Sequence, residues 1–194
     1  MDRELKKVIR EAWSWISSFA VALALAIVVS VFVVQPYKVE GHSMDPTLAD
    51  QERIIVSKLP HTFSREPDYG DIVIIDSRVD RERTVKDDFL ENPLLQFLAS
   101  EDEGHALYVK RVIGKPGDEL EIRQNKLYRN GQELHESYIK EAMYVGVNEK
   151  WVVPKDSVFV MGDNRNNSRD SRQIGYVPLD HVLGKKVFEI SWTK

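Results

Sequence analysis

Three stretches of this chain place reactive side chains at spacings that suggest chemistry. The first is Gly41-His42-Ser43-Met44-Asp45-Pro46-Thr47-Leu48. Glycine ahead of the serine frees the backbone for unusual angles and Pro46 fixes the exit, so the Ser43 hydroxyl can stand at an exposed bend. A serine hydroxyl is a poor nucleophile until a base takes its proton. Backbone N–H groups in such a bend could receive an oxyanion. Alone, the stretch also reads as an ordinary turn serine, so the rest of the chain must supply the base.

The second stretch is Tyr108-Val109-Lys110-Arg111-Val112-Ile113, a strand pattern with two adjacent cations inside it. Period-two alternation puts Tyr108, Lys110 and Val112 on one face and Val109, Arg111 and Ile113 on the other. At least one cation then faces packed surroundings. Burial of a lysine disfavours its charged form and lowers its pKa, which makes a neutral amine available as a general base. The other reading is a lysine at a strand edge with its amine in water.

The third stretch, Met161-Gly162-Asp163-Asn164-Arg165-Asn166-Asn167-Ser168-Arg169-Asp170-Ser171-Arg172, concentrates hydrogen-bonding side chains after an apolar strand. A calcium loop needs an oxygen ligand at its third position and a carboxylate at its twelfth, and counted from Asp163 those positions hold Arg165 and Ile174. A phosphate loop needs more glycine and a helix start. The composition suits a network of Asp–Arg pairs that stiffens a site, with Asp163, Arg165, Asp170 and Arg172 as members.

Other chemistries are narrowed by composition. The chain of 194 residues has no cysteine, which removes disulfides, thiolate metal sites and a cysteine nucleophile together. His42, His61, His105, His135 and His181 show no close metal-ligand spacing, so no metal and no cofactor is expected. A net charge of -4 with both signs mixed gives no signal for nucleic acid.

The elements that must position these residues begin with an anchor. No charged residue occurs from Ala12 to Tyr37, and Ile16 to Val34 is almost wholly apolar. That core would span roughly 28 Å as a helix, close to the hydrocarbon thickness of a bilayer. Trp13, Trp15 and Tyr37 flank it as interfacial anchors, and Arg3, Lys6, Lys7 and Arg10 precede it. The reading is a cytoplasmic N-terminus at 1–11, a transmembrane anchor at 12–35 and an extracytoplasmic β-rich domain at 36–194 on a single-pass protein of the cell membrane. A cleaved signal peptide is the rival, but the Ala-x-Ala motifs at Ala22 to Ala26 fall inside the apolar run rather than after it.

Pro36 is expected to end helical geometry, with a strand at Tyr37–Glu40. Further strands are expected at Arg53–Ser57, Ile72–Ile75, Leu107–Ile113, Glu119–Ile122, Trp151–Val153, Ser157–Met161 and Lys186–Trp192. Asn130-Gly131 marks a type I′ hairpin within Lys126–Leu134. Residues 78–104 read as a charged insertion with one short helix, started by Asn92 and Pro93. The fold class is mainly β, a compact antiparallel barrel or sandwich behind one N-terminal transmembrane helix.

Taken together these residues resemble the type I signal peptidases (leader peptidases), in their compact Gram-positive form. The resemblance runs through the chain in order: the anchor, Ser43-Met44-Asp45-Pro46-Thr47, Gly70-Asp71-Ile72-Val73, Lys110 to Asp118, and Gly162 to Arg172. It implies a membrane-bound serine endopeptidase with a Ser–Lys dyad, Ser43 the nucleophile and Lys110 the base. It further implies that Ser168 orients the lysine, that Asp163, Asp170 and Arg172 form a structural salt-bridge network, and that Arg111 is the arginine beside the base. The Ser43 N–H would donate to the oxyanion. Where some members carry a second oxyanion serine, this chain has Gly41. The implied substrates are exported preproteins, cut after small residues at the first and third positions before the scissile bond. The implied partners are their signal peptides, the lipid bilayer and, by proximity, the protein-export machinery.

Two other readings follow from the same residues. His42 or His105 could serve as base in a Ser–His hydrolase, although strand neighbours such as His42 and Ser43 point apart. A membrane-tethered binding module would instead use the polar loop for recognition and leave Lys110 an ordinary surface cation. The self-cleaving repressors share a Ser–Lys dyad, but carry a DNA-binding domain where this chain has an anchor.

Overall fold

The computed structural model describes residues 3–84, 87, 107–144 and 148–190. Among the described residues, one long helix, α1 (Arg3–Phe32), leads into eleven strands. Its segment Lys6–Phe32 is long and apolar enough to cross a membrane, and 6% of its apolar core is buried against the rest of the chain. An apolar helix left this exposed is not the core of a soluble fold. In a bilayer, a helix satisfies its own backbone polar groups.

The helix starts earlier and stops sooner than 12–35. The charged residues before Ala12 continue it outward, and Val34 already belongs to strand β1 (Val34–Lys38). Pro36 therefore lies inside a strand rather than ahead of one. It is tolerated because β1 is, among the described strands, an edge that pairs only with β2 (Arg53–Ser57), Pro36 opposite Ile55. The last turn of α1 rests on the domain: Val31 is buried, and Thr62 Oγ1 of a short helix α2 (Leu59–Thr62) donates to the Phe32 carbonyl at 2.8 Å.

The remaining strands are β3 (Ile72–Asp76), β4 (Leu107–Gly114), β5 (Glu119–Arg123), β6 (Lys126–Arg129), β7 (Gln132–Glu133), β8 (Glu149–Val152), β9 (Ser157–Met161), β10 (Val177–Pro178) and β11 (Val182–Ile190). A short helix α3 (Ser171–Ile174) follows β9. Seven strands form one sheet in the order β1-β2-β11-β3-β4-β9-β10, and four form a second in the order β7-β6-β5-β8. The described pairings are antiparallel, as in a curled half-barrel, so the mainly β expectation holds. The short helix expected near Asn92 lies outside the described residues.

Alternation explains the core. In β3, Ile72 and Ile74 join the cluster of Met44, Leu48, Ile54, Val56 and Leu183, while Val73 and Ile75 face Val112, Val158 and Val160. A third cluster, with Ile113, Phe159 and Met161 of the large sheet, packs against Leu120, Ile122 and Leu127 of the small one. Asn130 and Gly131 both have positive φ (52° and 80°), as the type I′ turn between β6 and β7 requires. Strand β11 begins at Val182, earlier than expected, and runs between β2 and β3. Gly184 interrupts the sequence pattern there, at an irregularity in register where a Cβ would meet the Ser57 carbonyl at 2.5 Å.

Candidate active site

Ser43 sits in the excursion between β1 and β2. The excursion is closed at its base by Val39 N–H to the Glu52 carbonyl (2.8 Å) and Gln51 N–H to the Val39 carbonyl (2.9 Å). Gly41 takes φ +86°, and its N–H donates to Asp50 Oδ1 at 2.7 Å. Met44 and Leu48 are buried in the first core cluster, so apolar packing anchors the loop immediately after the serine. Asn164 holds the loop from the other side. Its backbone N–H donates to the Ser43 carbonyl at 3.0 Å and its Nδ2 to the His42 carbonyl at 2.9 Å. Ser43 itself remains half-buried.

Lys110 comes from β4, opposite Val73 of β3, and is 3% exposed. Its Nζ donates to Ser43 Oγ at 2.9 Å and to the Val109 carbonyl at 2.9 Å. It also lies 5.1 Å from the Tyr108 ring centroid, as expected for residues two apart on one strand face. Burial pushes its pKa down to about 8, opposed by the charge of Asp170, aided by that of Arg172, and opposed again by Asp163. Both nearby acids are paired with arginines, and burial outweighs the pull of their charges on the lysine.

Arg111 donates to Asp163 through Nε (2.8 Å) and Nη2 (2.6 Å), and to the Gly70 carbonyl through Nη1 (2.8 Å). Asp163 also accepts from Thr47 Oγ1 at 2.5 Å, which ties this pair to the serine loop. Asp170 accepts from Arg172 Nε and Nη2, both at 2.8 Å, caps α3, and accepts the Gly162 N–H at 3.0 Å. Arg172 reaches on to the Arg165 carbonyl at 2.7 Å. Fully buried carboxylates need such bidentate partners, because an unpaired charge in that setting is costly.

Two placements differ from expectation. Arg165 pairs with Glu136 rather than with an aspartate of its own loop, at 2.6 and 2.5 Å, because its side chain turns inward toward the segment after β7. Among the described residues, Ser168 Oγ is buried with no hydrogen-bond partner and makes no bond to Lys110. The Ser168 side chain lies against Gly162, where a Cβ would collide with it. The lysine's donors go to Ser43 and Val109 instead. As for the histidines, His42 Nδ1 lies 3.4 Å from Asp45 Oδ2, and His105 is outside the described residues.

Thr47, Asn164, Glu136 and Tyr138 take part in the site without a role that the sequence alone marks. Thr47 and Asn164 lie inside the quoted motifs, where a hydroxyl and an amide among charged residues were the available signal. Glu136 and Tyr138 lie in a stretch without periodicity and offered none.

A family profile described as signal peptidase, peptidase S26, matches residues 12–192. Signal peptidase I of Bacillus amyloliquefaciens is 36% identical over 197 residues, covering 96% of this chain and 89% of that protein. Signal peptidase IB of Staphylococcus aureus is 34% identical over 197 residues, covering 92% and 89%. A crystal structure of a signal peptidase I from Enterococcus faecalis V583 aligns at a TM-score of 0.43 and 26% identity, over 62% of this chain and 96% of that one.

Proposed function

The chain belongs to the signal peptidases of the peptidase S26 family, and on that premise we propose that it cleaves by a serine–lysine dyad, Ser43 and Lys110. It is a membrane-anchored peptidase that removes signal peptides from exported preproteins. The observation that carries the dyad is the 2.9 Å hydrogen bond between Lys110 Nζ and Ser43 Oγ, made by a lysine whose pKa is lowered to about 8. When the lysine is neutral the contact reverses, and the hydroxyl donates to the amine lone pair.

Ser43 Oγ then attacks the scissile carbonyl as its proton passes to Lys110. The Ser43 N–H donates to the oxyanion. No side chain at Gly41 can add a second donor, and the space a Cβ would enter is open for 4 Å. Collapse of the tetrahedral intermediate breaks the peptide bond, with Lys110 returning the proton to the leaving amine. Water, deprotonated by the same lysine, hydrolyses the ester and frees Ser43. Asp163, Asp170, Arg172 and Arg111 hold the frame around this chemistry, and Ser168 lies at its margin.

The substrate binds as an extended strand. Among the described residues, β4 pairs with β9 only from Arg111 onward, so Leu107–Lys110 has a free edge beside the lysine. Backbone pairing there gives affinity, and shallow pockets for alternate side chains select small residues. Arg3, Lys6, Lys7 and Arg10 ahead of the span support residues 1–11 in the cytoplasm and the domain at 36–194 outside the cell membrane, and a substrate that is an exported preprotein supports a place close to the protein-export machinery.

Cleavage of a purified preprotein in detergent by wild type, Ser43→Ala and Lys110→Ala tests this, with fragment masses locating the cut. Wild type is expected to cut behind a small residue at the end of the signal peptide, and both variants to be folded and inactive. A Lys110→Ala enzyme at near-normal rate would place the base elsewhere.

A further inference from the structure

The segment between β7 and β8 has no part in the dyad chemistry, yet it crosses the site with alternate residues turned onto it. Glu136 grips Arg165 through both carboxylate oxygens. Tyr138 meets the guanidinium of Arg111, whose Cζ lies 4.0 Å from the ring centroid, and that of Arg165, at 6.0 Å. Lys140 donates its N–H to the Asp163 carbonyl at 3.2 Å and its Nζ to Asp45 Oδ2 at 3.0 Å. The chain turns at Ser137-Tyr138 and bends at Lys140, so these three side chains reach the site from an irregular segment rather than from a strand. Leu134 and Met143, before and after it, pack into the core cluster shared by the two sheets.

We propose that Tyr138 is a positioning residue for signal-peptide cleavage, acting through Arg111 on both halves of the dyad. The inference rests on the assignment of Ser43 and Lys110. Arg111 follows Lys110 in β4, so a shift of its side chain reaches the base through one peptide bond. Through Asp163, which accepts from Thr47 Oγ1, the same shift reaches the serine loop. A guanidinium lying on a ring face is held without spending its N–H donors, which stay on Asp163 and Gly70. The ring hydroxyl donates to Glu136 Oε1 at 2.6 Å and fixes the plane of the ring. Burial and the neighbouring Glu136 raise the phenol pKa above its ordinary value, so Tyr138 holds its place as a neutral group.

The test is the kcat and KM of the full-length enzyme in detergent on a preprotein, with melting temperatures, for Tyr138→Phe and Tyr138→Leu. Tyr138→Phe keeps the ring face and is expected within about threefold of wild type in kcat. Tyr138→Leu is expected to lose about 10- to 100-fold in kcat with KM within about twofold, at temperatures well below its melting point. If Tyr138→Leu only melts earlier and keeps its kcat, the residue is merely structural and the proposal falls. It falls equally if Tyr138→Phe loses as much as Tyr138→Leu, since the hydroxyl and not the ring would then matter. Should Tyr138→Leu fail to fold, Tyr138→Met supplies an unbranched side chain without a ring and is judged by the same outcomes. Ser43→Ala separates the two levels. If it still cleaves, the dyad assignment fails and takes this one with it. If it is inactive while Tyr138→Leu keeps its kcat, only the positioning role fails.

Discussion

Replacing Lys110 with methionine removes the amine and leaves an unbranched apolar side chain in a site where the residue is 3% exposed. In the folded wild type the amine titrates at about 8 instead of 10.5, chiefly because burial disfavours its charge. Between those values the unfolded chain binds a proton that the folded chain does not. Stability therefore rises with pH through this window and is flat on either side, so the penalty is fully present below about pH 8 and gone above about pH 10.5. At about 1.4 kcal/mol for each pH unit, the gap amounts to about 3 kcal/mol. Lys110→Met has no such window. Its lost hydrogen bonds to Ser43 and Val109, worth about 1 kcal/mol each, shift the baseline but not the slope. Thermal melting of both proteins in detergent is the assay, since other titrations cancel in the difference. The variant should gain on wild type by about 6–12 °C more at pH 7 than at pH 10.5. A difference that stays flat with pH would refute the reasoning that burial makes Lys110 a base.

Three further perturbations probe the frame. Asp163→Asn leaves the Arg111 guanidinium without its buried counter-charge and should destabilise the domain by about 3–5 kcal/mol, read by thermal melting. Gly162→Ala introduces a Cβ that meets the Ser43 carbonyl at 2.5 Å and collides with Ser168. It should cost about 1–3 kcal/mol and lower kcat, measured by melting and cleavage kinetics. Arg172→Met removes a charge that lowers the Lys110 pKa, so the acid limb of the cleavage profile should move to higher pH.

Much of this architecture was legible because local pattern and tertiary environment agree. The Ile72–Ile75 run is buried on both faces, as its unbroken β-branched composition suggests, and Asn130-Gly131 makes the turn its positive φ angles allow. Lys110 stood out as a charge inside an apolar strand, and burial is the property that gives it a lowered pKa. Where tertiary context decides, the sequence was silent. Pro36 could enter a strand only because β1 is an edge. The start of β11 is hidden by Gly184, whose missing side chain serves a close approach to β2. Glu136 and Tyr138 matter only through Arg165 and Arg111, about thirty residues away on either side, and no local pattern encodes that meeting.

The pH dependence of kcat/KM for preprotein cleavage tests the central claim most directly. A dyad in which neutral Lys110 is the base predicts a single ionisation near 8, with activity falling about tenfold per pH unit below it. Lys110→Ala should remove that activity altogether. A profile that stays level down to about pH 6.5, the ordinary range of histidine, would contradict the account. The base would then be a group other than Lys110.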